Sequence, residues 1–142
     1  MNTIANNEIE IIEDFELFSD WEDKYEYIIS LGKELPLIKD EYKTEDYLVR
    51  GCQSRVWLHA EKQGENIVFT ADSDAIITKG IIALLVRVLS NQPAAEVAKS
   101  DLDFINKIGL KDHLSPNRSN GLVSMIQKMK TYALAFSSGV QS

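Results

Sequence analysis

The apolar run over residues 75–89 constrains the fold more than any other segment, because it has almost no polar face to offer water. It is shorter than the ~20 residues that span a bilayer, and it carries Lys79 and Arg87. It therefore reads as a central core helix that other elements must cover. Gly80 within it allows close packing against a neighbour, and Asp72 or Ser73 stands where a helix cap belongs.

The elements around it follow from local chemistry. Ser19-Asp20-Trp21-Glu22 matches a capping box, and Trp21, Tyr25, Ile28 and Ile29 recur at helical spacing, so a helix is expected over residues 20–34. Leu35-Pro36 stops it. Three β-rich segments follow at 47–50, 56–62 and 67–71, and the short turns between them favour antiparallel pairing. In the second strand Val56, Leu58 and Ala60 alternate with Trp57, His59 and Glu61, giving one packed face and one partly wet face. Beyond the core helix, Pro93 opens a short helix over 94–99, and another is expected over 101–108, ended by Gly109. Ser115-Pro116 leads into a last helix with an apolar stripe of Leu122, Met125, Ile126, Met129, Ala133 and Phe136. The order is that of an α+β fold, a small antiparallel three-stranded sheet flanked by helices.

The chain has 142 residues, 44% of them hydrophobic and 26% charged, which suits one globular domain over 1–142 with a sizeable core. Its net charge of −7 argues against nucleic acid as a partner, since phosphate binding needs a clustered basic surface. Many acids crowd the first part of the chain, including Glu8, Glu10, Glu13, Asp14, Glu16, Asp20, Glu22 and Asp23, and a solvated acidic helix face accounts for them. With no apolar leader at Met1–Asn7 and no membrane-length segment, a cytoplasmic location is expected.

Cys52 is the only cysteine, in the segment Gly51-Cys52-Gln53-Ser54. A lone thiol forms no internal disulfide, no Cys-rich zinc site and no CxxC redox pair. It is either a buried passenger or a group that reacts with something from outside the chain. Gly51 permits tight backbone geometry and Gln53 and Ser54 are polar, so the thiol reads as part of a loop between the first two strands, where function tends to sit. A metal is not expected: Cys52, His59, His113, Asp72 and Asp74 lack ligand spacing, and the two aspartates read better as helix caps.

Gly51-Cys52-Gln53-Ser54-Arg55-Val56-Trp57, then Asp72-Ser73-Asp74-Ala75, Lys79-Gly80 and Leu114-Ser115-Pro116-Asn117-Arg118-Ser119-Asn120-Gly121-Leu122, resemble in order and distance the SufE family of sulfur-acceptor proteins. The resemblance spans roughly residues 15–136, leaving 1–14 as a variable amino terminus and 137–142 as a polar tail. It implies a fold similar to that of the IscU-type scaffolds. It also implies that Cys52 accepts sulfane sulfur, as a persulfide, from a pyridoxal-phosphate-dependent cysteine desulfurase, stimulates that enzyme and passes sulfur toward an iron-sulfur scaffold. No cofactor of its own is implied, and a monomer or weak homodimer is expected. Gly51, Gln53, Ser54, Asp74 and Arg118 are the supporting or partner-binding candidates. Arg118 is either the cation that favours the Cys52 thiolate or a helix-start residue with a structural hydrogen bond. Val56 and Trp57 are expected to form an apolar pocket that shelters the thiol.

Two other classes stay open from the residues themselves. One is a Cys-His hydrolase or transferase with His59 or His113 as base, which needs an oriented base and an oxyanion hole. The other is a docking module in which Cys52 only packs.

Overall fold

A computed structural model describes residues 3–138; Met1, Asn2 and residues 139–142, most of the expected polar tail, lie outside the described residues. Among the described residues, six α-helices and three strands follow in the order α1 (Ile4–Glu16), α2 (Trp21–Lys33), β1 (Val56–Gln63), β2 (Asn66–Ser73), α3 (Ile76–Leu89), β3 (Gln92–Pro93), α4 (Ala94–Lys99), α5 (Phe104–Lys107) and α6 (Pro116–Ser137). The fold is α+β, with an antiparallel sheet in the order β1-β2-β3.

The apolar run forms α3, and Ile81, Ile82, Leu84, Leu85, Val88 and Leu89 are all sealed from solvent. Around it pack α1, α2, α6 and the inner sheet face of Val56, Leu58, Ile67, Phe69 and Ala71. Gly80 is what lets α2 approach: a Cβ there would stand 2.3 Å from the Ile28 carbonyl oxygen. No side chain caps α3. Asp72 is instead drawn to Lys43 (2.5 Å) and Lys79 (3.3 Å). The Ser73 hydroxyl accepts from the Ala75 amide one residue ahead of the helix and donates to the Arg55 carbonyl.

The chain departs from the sequence reading at five further places. Residues 4–16, within and just beyond the stretch read as a variable terminus, form α1, capped by Thr3 and burying Ile11 and Phe15. Acids from the run read as solvated hold that helix down. Asp14 accepts from the Tyr27 hydroxyl at 2.6 Å and lies 3.5 Å from Arg87, and Glu8 accepts from the Phe104 amide. Helix α2 is capped by Asp20, whose extended backbone turns its carboxylate onto the Asp23 amide, rather than by Ser19.

The stretch 47–50 is not a strand. A 3-10 turn takes up Glu45–Tyr47, and only a single bridge, Leu48 to Trp57, joins β1. The third strand comes instead from Gln92–Pro93. Asn91, at φ 63°, turns the chain out of α3 so that Gln92 pairs with Ile67 and Pro93 with Asn66. The helix expected over 101–108 shrinks to α5, because Leu102 at φ 53° interrupts it.

Candidate functional site

Gly51 sets the geometry of the thiol loop. Its φ of +96° suits a residue without a side chain, and a Cβ would fall 2.3 Å from the Ser124 hydroxyl of α6. The chain then passes Cys52 and enters β1. Both ends of the loop are tied down: the Val49 amide donates to the Val56 carbonyl at 2.8 Å, and the Asp74 carboxylate accepts from the Arg55 amide at 3.0 Å. Cys52 therefore lies before the hairpin, not between two full strands.

Opposite the loop stands the start of α6. Ser115 caps that helix by accepting from the Arg118 amide, and Pro116 occupies its first turn, where a missing N–H costs nothing. Asn117 donates to the Gln53 side chain at 3.0 Å, which links loop to helix. The Cys52 S–H donates to the Gly121 carbonyl at 3.6 Å, and a Cβ on Gly121 would stand 3.3 Å from the sulfur.

Between loop and helix lies a cavity of about 310 Å³. Of the residues singled out by sequence, Cys52, Gln53, Ser54 and Arg118 line it together. Gly51 adjoins it, and Asp74 does not reach it but anchors the loop through Arg55. The expected shelter of Val56 and Trp57 is absent. Val56 is sealed in the core, and Trp57 faces the other side of the sheet under the Lys43 ammonium, as strand alternation requires. The apolar walls come from Ile81 and Met125, and Thr78 adds a hydroxyl from α3. Sequence reasoning took Met125 only as core and passed over Thr78; the signal for Thr78 was a lone hydroxyl in a helix otherwise apolar at that level.

The thiol is half-buried, and burial pushes its pKa up from the ordinary value. The free protein therefore holds Cys52 as a neutral thiol at neutral pH. Arg118 is exposed and has no ion-pair or hydrogen-bond partner for its guanidinium among the described residues. Neither histidine lines the cavity. His59 stacks on Tyr42 at 4.1 Å, and His113 stacks on Trp21 at 3.9 Å. Among the described residues no three His, Cys, Asp or Glu side chains gather into a metal cluster, and no helix is long and apolar enough to cross a membrane.

Fold and site together define a small α+β domain that presents one thiol at the rim of a polar-mouthed cavity. The SufE family model, described as an Fe-S metabolism associated domain, matches residues 9–133. An uncharacterized SufE-like protein of Rhizobium meliloti is 43% identical over 129 residues, covering 87% of this chain and 92% of its own. SufE-like protein 1, chloroplastic/mitochondrial, of Arabidopsis thaliana is 40% identical over 126 residues, and the match takes up 34% of that longer protein. The solution structure of a hypothetical protein from Thermus thermophilus shares the fold at a TM-score of 0.79 and 18% identity, covering 97% of this chain and 99% of that one. The chain belongs to the SufE family, and so to the domains associated with Fe-S metabolism.

Proposed function

We propose that this protein is a sulfur acceptor and carrier whose Cys52 takes sulfane sulfur from a pyridoxal-phosphate-dependent cysteine desulfurase, stimulates that enzyme, and hands the sulfur to an iron-sulfur scaffold in the cytoplasm. The observation that carries the reading is the position of the only cysteine, at the rim of a cavity whose mouth also holds a guanidinium with no partner among the described residues. In the transfer, the Cys52 thiolate attacks the terminal sulfur of the donor persulfide. The bond between the donor's two sulfurs breaks, and the donor cysteine leaves as a thiolate with the electron pair. Cys52 keeps the sulfur as a persulfide, and no net oxidant or reductant is consumed. The onward step repeats the exchange, with the acceptor's thiolate attacking and Cys52 leaving.

Burial favours the neutral thiol, so the free protein is poorly nucleophilic. Arg118 at the mouth is placed to offset that cost as negative charge develops on sulfur. Gly51, Gln53, Ser54 and Asp74 shape and anchor the loop that a docking desulfurase would have to move. A hydrolase would need a base at the thiol, and both histidines are stacked on aromatic rings elsewhere.

The test is intact-protein mass spectrometry after incubation with a cysteine desulfurase and L-cysteine. One added sulfur mass, removed by dithiothreitol and absent from Cys52→Ser, is the expected result. No adduct with any of several desulfurases would overturn the carrier reading and leave a docking module of the same fold.

A further inference from the structure

Thr78 lies on the first full turn of α3, its residue is 7% exposed, and it lines the same cavity as Cys52. A threonine within a helix ordinarily donates to a carbonyl one turn back. This one does not: its hydroxyl has no hydrogen-bond partner among the described residues. The hydroxyl is not sealed in the core: it opens onto the cavity, where it is free to donate to whatever the cavity holds. It is also held rigidly, since α3 is the most deeply buried helix of the molecule.

The rest of the cavity suits sulfur. Ile81 and Met125 give apolar, polarizable walls, and a thioether is a good neighbour for a soft atom. The volume of about 310 Å³ is far larger than the ~30 Å³ a single water occupies, so one more sulfur fits without displacing a wall. A persulfide is more acidic than its parent thiol, so the outer sulfur of a loaded Cys52 carries negative charge. In a half-buried place that charge needs a donor.

Resting on the carrier reading above, we infer that the cavity is a subsite for the terminal sulfur of the Cys52 persulfide, with the Thr78 hydroxyl donating a hydrogen bond to that sulfur. No bond is made or broken in this step, and the proton stays on oxygen. The subsite holds the carried atom between transfers, away from small nucleophiles, until an acceptor opens the loop.

Thr78→Val keeps the side-chain shape and removes the donor, and Thr78→Ser keeps the donor. Each protein is loaded by a cysteine desulfurase and L-cysteine, freed of the donor, and exposed to cyanide, which takes the outer sulfur as thiocyanate and returns the Cys52 thiol. Wild type and Thr78→Ser should lose the added sulfur mass at similar rates, and Thr78→Val about tenfold faster, as expected for one lost hydrogen bond to a charged atom. Alkylation of the loaded protein should shift to higher pH in Thr78→Val, because the persulfide anion has lost its donor. Its thermal midpoint should equal or exceed that of wild type, since the hydroxyl makes no bond in the free protein.

Equal cyanolysis rates and pH profiles in a wild type and Thr78→Val that both load would overturn the subsite alone. A wild type that never loads would overturn the carrier reading, and the subsite with it.

Discussion

The Cys52 sulfur lies 3.6 Å from the Gly121 carbonyl oxygen, with its S–H donating across the gap between loop and helix. The bond requires the proton, and burial adds to the preference for the neutral thiol. Alkylation of free Cys52 by iodoacetamide should therefore rise at a higher pH than that of an ordinary cysteine, which ionises near about 8.5. The same profile measured in urea should return to the ordinary range, and coincidence of the two curves would show that burial does not govern the thiol. The linkage has a definite sign. The unfolded chain releases the thiol proton first, so the stabilisation is complete below the ordinary thiol pKa and is lost as pH rises through the folded one. Relative to Cys52→Ser, the wild type should lose stability above about pH 8.5.

Arg118 faces the same cavity with no partner for its guanidinium among the described residues. A side chain that stabilises no contact in the free protein is removed without loss of fold. Arg118→Ala should keep the wild-type thermal midpoint yet slow sulfur loading from the desulfurase by about tenfold, with Arg118→Lys between them because it retains charge but not the planar fork. Loading rates that match wild type in stopped-time mass spectrometry would leave Arg118 as a helix-start residue only.

Asp72 joins three segments through Lys43, Lys79 and the Ser73 amide. Burial pushes its carboxyl up, but those partners outweigh burial and hold it below the usual carboxylate range. Asp72→Ala should cost about 1 kcal/mol at neutral pH, since it removes two charge-assisted contacts and the hydrogen bond to the Ser73 amide. A depressed carboxyl contributes stability above its unfolded value of about 3.9 and loses it as pH falls through the folded value. The gap between wild type and Asp72→Ala in urea denaturation should therefore close under acid. A gap that stays constant from neutral pH to about pH 2 would mean that the charge is not what Asp72 contributes.

Much of this architecture was legible because local chemistry and tertiary packing agree. The 56–62 alternation, the apolar stripe of α6, the Ser115-Pro116 start and the nearly all-apolar α3 each have one structural solution. The third strand was not legible, for it is two residues long and exists only because Asn91 takes a left-handed turn beside Ile67. The capping role of Asp72 and Ser73 failed for a related reason: Lys43 and Lys79 offer the carboxylate a better partner than helix amides do, and Lys43 is remote in sequence. At the site, Cys52, Gln53, Ser54 and Arg118 were visible as polar or reactive types in two short segments. Thr78 and Gly121 matter through where their atoms point, which only the packed chain determines.

Gly80 gives the sharpest test of the frame that positions the site. A Cβ there would lie 2.3 Å from the Ile28 carbonyl oxygen and 2.6 Å from its Cγ2, and backbone cannot swing aside as a side chain tip can. Gly32, on the α2 side of the same contact, would place its own Cβ 3.1 Å from the Gly80 nitrogen. Alanine is the better helix former by about 1 kcal/mol, so local propensity alone predicts that Gly80→Ala stabilises α3. Overpacking acts in the other direction and should win, because separating α2 from α3 loosens contacts all along a buried helix pair. We expect a net loss of about 2 kcal/mol in urea denaturation. Since α3 also carries Thr78 and Ile81 into the Cys52 cavity, the same variant should alkylate Cys52 faster than wild type. A Gly80→Ala protein at least as stable as wild type would mean that the two helices are not held at this distance by their glycines.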